Sequence, residues 1–80
     1  MDNKVIKIGL LGLGTVGTGV YKLIGRRSDE MEQKIGANLE IEKILVHNLK
    51  KTRHGIEQSL LTDRWEDIIG NEEIRIVIEA

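Results

Sequence analysis

Ile6-Lys7-Ile8-Gly9-Leu10-Leu11-Gly12-Leu13-Gly14-Thr15-Val16-Gly17 carries an apolar strand into G-x-G-x-x-G and straight on into a helical pattern. A strand entering a glycine turn that opens a helix is what a pyrophosphate cradle requires. Gly12 lets the chain turn sharply, Gly14 leaves no side chain between backbone and phosphate, and Gly17 lets the helix lie close to the strand. The first-turn amides, from about Gly14 through Thr15 and Val16 to Gly17, then point outward without partners, and the helix dipole adds partial positive charge. Glycine turns also serve packing alone. Here both flanks fit a dinucleotide site, so that is the expected role of the turn.

The 80 residues, 40% of them hydrophobic, suffice for one small core. This length suits the amino-terminal part of a dinucleotide-binding domain, residues 1–80, with no room for a substrate domain. A net charge of −1 argues against nucleic acid as a partner. No apolar run reaches the roughly 20 residues of a membrane span, and no signal-peptide pattern opens the chain. Cysteine is absent, which removes disulfides and thiol-ligated metals and fits a cytoplasmic setting. Charge is uneven: Lys43, Lys50, Lys51 and Arg53 cluster without an acid among them, whereas the chain from Glu57 onward is acidic. So local a basic cluster points to a small anionic ligand rather than a polyanion.

Met1 to Asn3 reads as a frayed end. Lys4 to Leu11 becomes continuously apolar, as a strand buried on both faces must. Gly9 within it implies close approach of another element. Val16, Val20, Leu23, Ile24, Arg27, Met31 and Ile35 recur at helical spacing, so a helix is expected from Thr15 to about Lys34, unbroken or interrupted near Gly25, with Gly36 past its end. Tyr21 is a flanking packing residue. Leu39 to Val46 is a second strand and His47 to Gly55 a basic loop at its carboxyl end. Thr62 or Asp63 is expected to cap a short helix through Ile69, with Glu66 completing a capping box. Ile74 to Glu79 is a third strand. The fold class is therefore α/β, a three-layer Rossmann-type parallel sheet, the β-α-β-α-β half with strand order 3-2-1. In that order the first strand has an open edge, which predicts self-association through Lys4 to Leu11 into a homo-oligomer.

Coenzyme choice is made at the end of the second strand, beside the adenosine ribose: NAD is met there by Asp or Glu, the 2′-phosphate of NADP by cations. Counting about 20 residues from the glycines reaches Glu40 and Glu42, but these begin the strand and lie at the wrong end of the sheet. The residues in position are Val46, His47 and Asn48, followed by Lys50, Lys51 and Arg53. No carboxylate stands among them, which favours NADP over NAD. A metal at His47 is not expected, since His54 is the only other histidine. Trp65 is read as anchoring the short helix to the sheet in preference to stacking on adenine. Glu79 approaches the crevice without an assigned catalytic role.

Taken on to Thr18-Gly19-Val20, the opening stretch resembles the amino terminus of homoserine dehydrogenase. Three looser matches follow in order, Lys43-Ile44-Leu45-Val46, Lys50-Lys51-Thr52-Arg53 and Ile76-Val77-Ile78-Glu79. The resemblance implies that amides around Leu13, Thr15 and Val16 hold the pyrophosphate and that His47 faces the ribose. It also implies a parent enzyme interconverting homoserine and aspartate semialdehyde with NAD(P)(H), on the route to threonine, methionine and isoleucine. His47-Asn48 departs from the Arg-Asp or Lys-Asp often found there. The catalytic lysine, the carboxylates for the small-molecule substrate, the metal-ion site and the dimerisation region of such enzymes lie beyond Ala80. These 80 residues are thus expected to bind coenzyme without turnover. The alternatives are a stand-alone nucleotide-sensing module or the start of another reductase, such as aspartate dehydrogenase or dihydrodipicolinate reductase. A P-loop NTPase is excluded by the missing Gly-Lys-Ser/Thr.

Overall fold

The structure, a computed structural model, describes residues 4–51 and 53–79. The apolar run at the amino end forms strand β1 (Lys4–Leu11), and the glycine turn releases the chain into helix α1 (Thr15–Ile35). Strand β2 (Ala37–Leu45) follows, then a 3-10 turn (Gln58–Leu60), strand β3 (Leu61–Thr62), helix α2 (Glu66–Ile69) and strand β4 (Ile74–Glu79). All strand pairs are parallel, in the order β3-β2-β1-β4.

That order corrects the expected placement of Ile74–Glu79, while the parallel Rossmann-type class stands. The third position, outside β2, is held by the two residues Leu61–Thr62, and Ile74–Glu79 is a fourth strand on the other side of β1. Right-handed crossovers explain the layers. Moving outward from β1 to β2 puts α1 on one face, and moving back from β3 to β4 puts α2 on the other. Side-chain alternation along β1 reports both layers: Ile8 and Leu10 join Ile24 of α1 in the main core, while Gly9 faces Ile68 of α2. The edge of β1 expected to stand open is occupied by β4 from Lys7 to Leu11, which removes the reason for expecting self-association there. A strand whose interior is fully buried needs neighbours on both sides, and β1 has them.

Gly9 owes its identity to that close approach. A Cβ there would stand 3.0 Å from Ile68 Cγ2 and 3.3 Å from Ile74 Cδ1. Helix α1 is continuous through Gly25, and Gly36 follows it with φ +69, a left-handed value suited to a helix terminus. Its apolar stripe differs from the expected one. Gly17 and Ile24 are buried, and Val20 and Tyr21 pack against the core, but Val16, Leu23 and Arg27 face outward. Gly17 and Ile24, seven residues apart, set the buried face, which turns the residues at 16 and 23 away. The side chains of Met31 and Ile35, like Met1 to Asn3, lie outside the described residues.

The capping box at α2 is also replaced. Trp65 occupies the cap position in helical geometry without a side-chain bond. Thr62, buried at the end of β3, instead accepts from the Arg64 amide at 3.1 Å and donates to Asp67 Oδ2 at 2.5 Å. Among the described residues between β2 and β3 there is no α-helix. Leu49, Ile56 and Leu60 cover part of the sheet there, beside a hollow of about 620 Å³ that Tyr21, Ile24, Leu39 and Ile41 help to line.

Candidate functional site

Gly12 marks the point where β1 leaves the sheet. Its amide still donates to Leu45 O at 2.9 Å, and its φ of 105 starts the turn in a region open to glycine. The next bonded amide is that of Thr18, which donates to Gly14 O at 2.9 Å. Among the described residues, the amides of Leu13, Gly14, Thr15, Val16 and Gly17 thus donate to no protein acceptor. No acidic side chain occupies the first turn of α1 to neutralise them. Five donors without a protein acceptor thus sit at the positive end of a helix 21 residues long, a geometry suited to an anion.

Gly14 stands at the head of this helix turn. It is exposed, its φ is not left-handed, and a Cβ there would meet nothing within 4 Å. Neither backbone strain nor packing demands glycine at this position. What its missing side chain leaves clear is the approach to the amides.

The turn opens into a cleft of about 890 Å³ along the carboxyl ends of the strands, where open parallel sheets bind ligands. Gly12, Leu13 and Gly14 line it from β1, and Val46, His47 and Asn48 from β2. Lys51 and Arg53 join them from the loop. Thr15, Val16 and Gly17 do not line the cleft; they form the first turn of α1 beyond Gly14, with Thr15 and Val16 exposed and Gly17 buried. Lys50 does not reach the cleft; its amide donates to Asn48 Oδ1 at 2.9 Å. Asn48 organises the loop, because its carbonyl also accepts from Arg53 Nη1 at 2.9 Å, and the same Nη1 donates to Lys51 O at 3.2 Å. Arg53 is therefore held against the loop, on the wall of the cleft. Glu42, set aside on sequence grounds, lies 3.3 Å from Lys7, away from the cleft.

Three cleft residues were given no part in the site by the sequence: Asp63, a candidate cap, and Trp65, a candidate anchor of the short helix, both of which follow β3, and Glu79, which ends β4. A strand of two residues has no periodicity to read, so nothing placed Asp63 and Trp65 at the carboxyl edge of the sheet. No helix among the described residues is long and apolar enough to cross a membrane.

The family model described as homoserine dehydrogenase, NAD binding domain, matches residues 12–80. The chain belongs to this family. It is 40% identical over 78 residues to homoserine dehydrogenase of Bacillus subtilis, a match covering 96% of this chain and 18% of that one. Homoserine dehydrogenase of Helicobacter pylori is 36% identical over 76 residues, covering 95% of this chain and 18% of the relative. Among solved structures, S. aureus homoserine dehydrogenase at pH 8.5 superposes with a TM-score of 0.91 at 34% identity, over 98% of this chain and 20% of that one. The Thiobacillus denitrificans homoserine dehydrogenase gives 0.78 at 34% identity, over 95% and 18%. The chain spans about a fifth of the length of these homoserine dehydrogenases. It corresponds to their NAD-binding region, so its coenzyme class is a nicotinamide dinucleotide.

Proposed function

We propose that this chain holds the pyrophosphate of a nicotinamide dinucleotide on the amides of Leu13 to Gly17, and the adenosine ribose at Val46, His47 and Asn48. The observation that carries this is the run of unpartnered amides at the glycine turn, opposite a Gly14 whose Cβ would fill only the ligand's space. NADP is the preferred form, because the end of β2 offers His47, Lys51 and Arg53 and no carboxylate. Asp63 and Glu79 line the same cleft from the ends of β3 and β4.

Within a whole homoserine dehydrogenase the same surface would orient the nicotinamide toward the carbonyl carbon of aspartate 4-semialdehyde. The coenzyme supplies the hydride, and the protein contributes position and electrostatics. These 80 residues alone are expected to have no turnover. The parent activity, a step toward threonine, methionine and isoleucine in the cytoplasm of a homo-oligomeric enzyme, rests on family membership. Neither nucleic acid nor membrane is expected as a partner.

Calorimetric titration with NADP and NAD tests the coenzyme choice, with Lys51→Ala and Arg53→Ala beside the parent chain. NADP should bind more tightly, and each substitution should narrow the difference by about tenfold or less, the effect of one charge-assisted hydrogen bond. Equal binding of both coenzymes by all three proteins would refute the assignment to the basic loop.

A further inference from the structure

Trp65 is half exposed, at 51%, on the wall of the cleft that also contains the glycine turn. Anchoring α2 does not require it. That task falls to Ile68, which is 2% exposed and lies against Gly9. A large aromatic face left open to water inside a ligand cleft invites a flat, weakly hydrated partner. Resting on the phosphate assignment above, we propose that Trp65 forms the base-binding wall of the cleft and stacks against the adenine ring of the bound nucleotide.

Three observations select adenine over other occupants. Trp65 follows β3, which neighbours β2, so it lies on the side of the sheet that receives the adenosine half of a dinucleotide. The nicotinamide half belongs across the switch point between β1 and β4. Asp63, two residues before Trp65, also lines the cleft and would repel a phosphate but can accept from an adenine amino group. Ile69, one turn beyond Trp65, is exposed too but does not line the cleft. A protein partner docking on α2 would engage both side chains; a nucleotide would engage only Trp65.

The chain contains a single tryptophan, so its fluorescence reports this position alone. The test titrates ADP and inorganic pyrophosphate into the parent chain and into Trp65→Leu, Trp65→Phe and Ile69→Ser, following amide shifts at Leu13 to Gly17 together with the Trp65 emission. ADP should shift the amides and alter the emission of the parent chain. Trp65→Leu should weaken ADP about fivefold to tenfold, the lower end of base stacking on an aromatic face that stays partly open, and leave pyrophosphate unchanged. Trp65→Phe should recover most of the loss and Ile69→Ser should bind normally. Amide shifts with unaltered emission, and parental ADP affinity in Trp65→Leu, would overturn the stacking while leaving the phosphate site standing. An equal loss in Ile69→Ser would overturn it as well, by making α2 a structural support. Amides that respond to neither probe would remove the phosphate site and the base wall together.

Discussion

A Cβ at Gly14 would meet no protein atom within 4 Å, yet this residue heads the helix turn whose amides find no acceptor among the described residues. Stability and binding therefore make opposite demands on it. Asp is a better helix cap than Gly, and its charge suits the amino end of a helix. Gly14→Asp should raise stability by about 0.5–1 kcal/mol in denaturant unfolding and weaken coenzyme at least tenfold, because the carboxylate takes the amides meant for phosphate. A gain in stability with unchanged binding would show that the amides face something else. At Gly9 the demand is packing alone: Gly9→Ala drives a methyl into buried Ile68 and should cost about 1 kcal/mol without affecting coenzyme. The turn at Gly12 was legible in the sequence, since its geometry follows from residue type and spacing. Trp65 was not, because its place depends on a strand too short to announce itself.

Element boundaries were plain wherever hydrophobicity was dense. Lys4–Leu11 and Ile74–Glu79 occur as strands with the expected limits, and Gly36 ends α1. With φ +69 and open space around it, Gly36→Ala should lose about 1 kcal/mol to backbone strain alone, read as a lower denaturation midpoint at constant slope. The start of α2 was misread because two acids of the right spacing suggested a capping box, whereas the buried hydroxyl of Thr62 serves both Arg64 and Asp67. Thr62→Val keeps the shape and removes that hydroxyl, so a loss of about 1–3 kcal/mol is expected. Lys7 ties the sheet together on the α2 side, 2.9 Å from Glu73 and 3.3 Å from Glu42. Its hydrogen bond to Glu73, then that to Glu42, holds its pKa above the ordinary 10.5. A raised lysine pKa stabilises the fold below the unfolded value and ceases to do so as pH climbs through the folded one. Lys7→Met should accordingly differ from the parent near neutrality, and the difference should begin to fade only as pH rises past 10.5, disappearing above the raised folded value.

Over the whole molecule, the first strand is the centre and the glycine turn is its outlet. Amides of Ile8 to Leu11, with neighbours on both sides, should be the slowest to exchange with deuterium, and those of β3 among the fastest of the strands. The sequence conveyed the parallel sheet and the position of the cleft but not the side of β1 on which Ile74–Glu79 pairs. Both edges of β1 suit an apolar parallel strand equally, and only the crossover through α2 decides between them. The cleft survives that correction because both arrangements bring the same strand ends together. The measurement that bears most directly on the account is an amide-resolved titration of the protein with NADP. The largest shifts should fall on Leu13 to Gly17, followed by His47 and Asn48. Shifts centred instead on the hollow beside Tyr21 and Leu39, with the glycine turn unmoved, would contradict it.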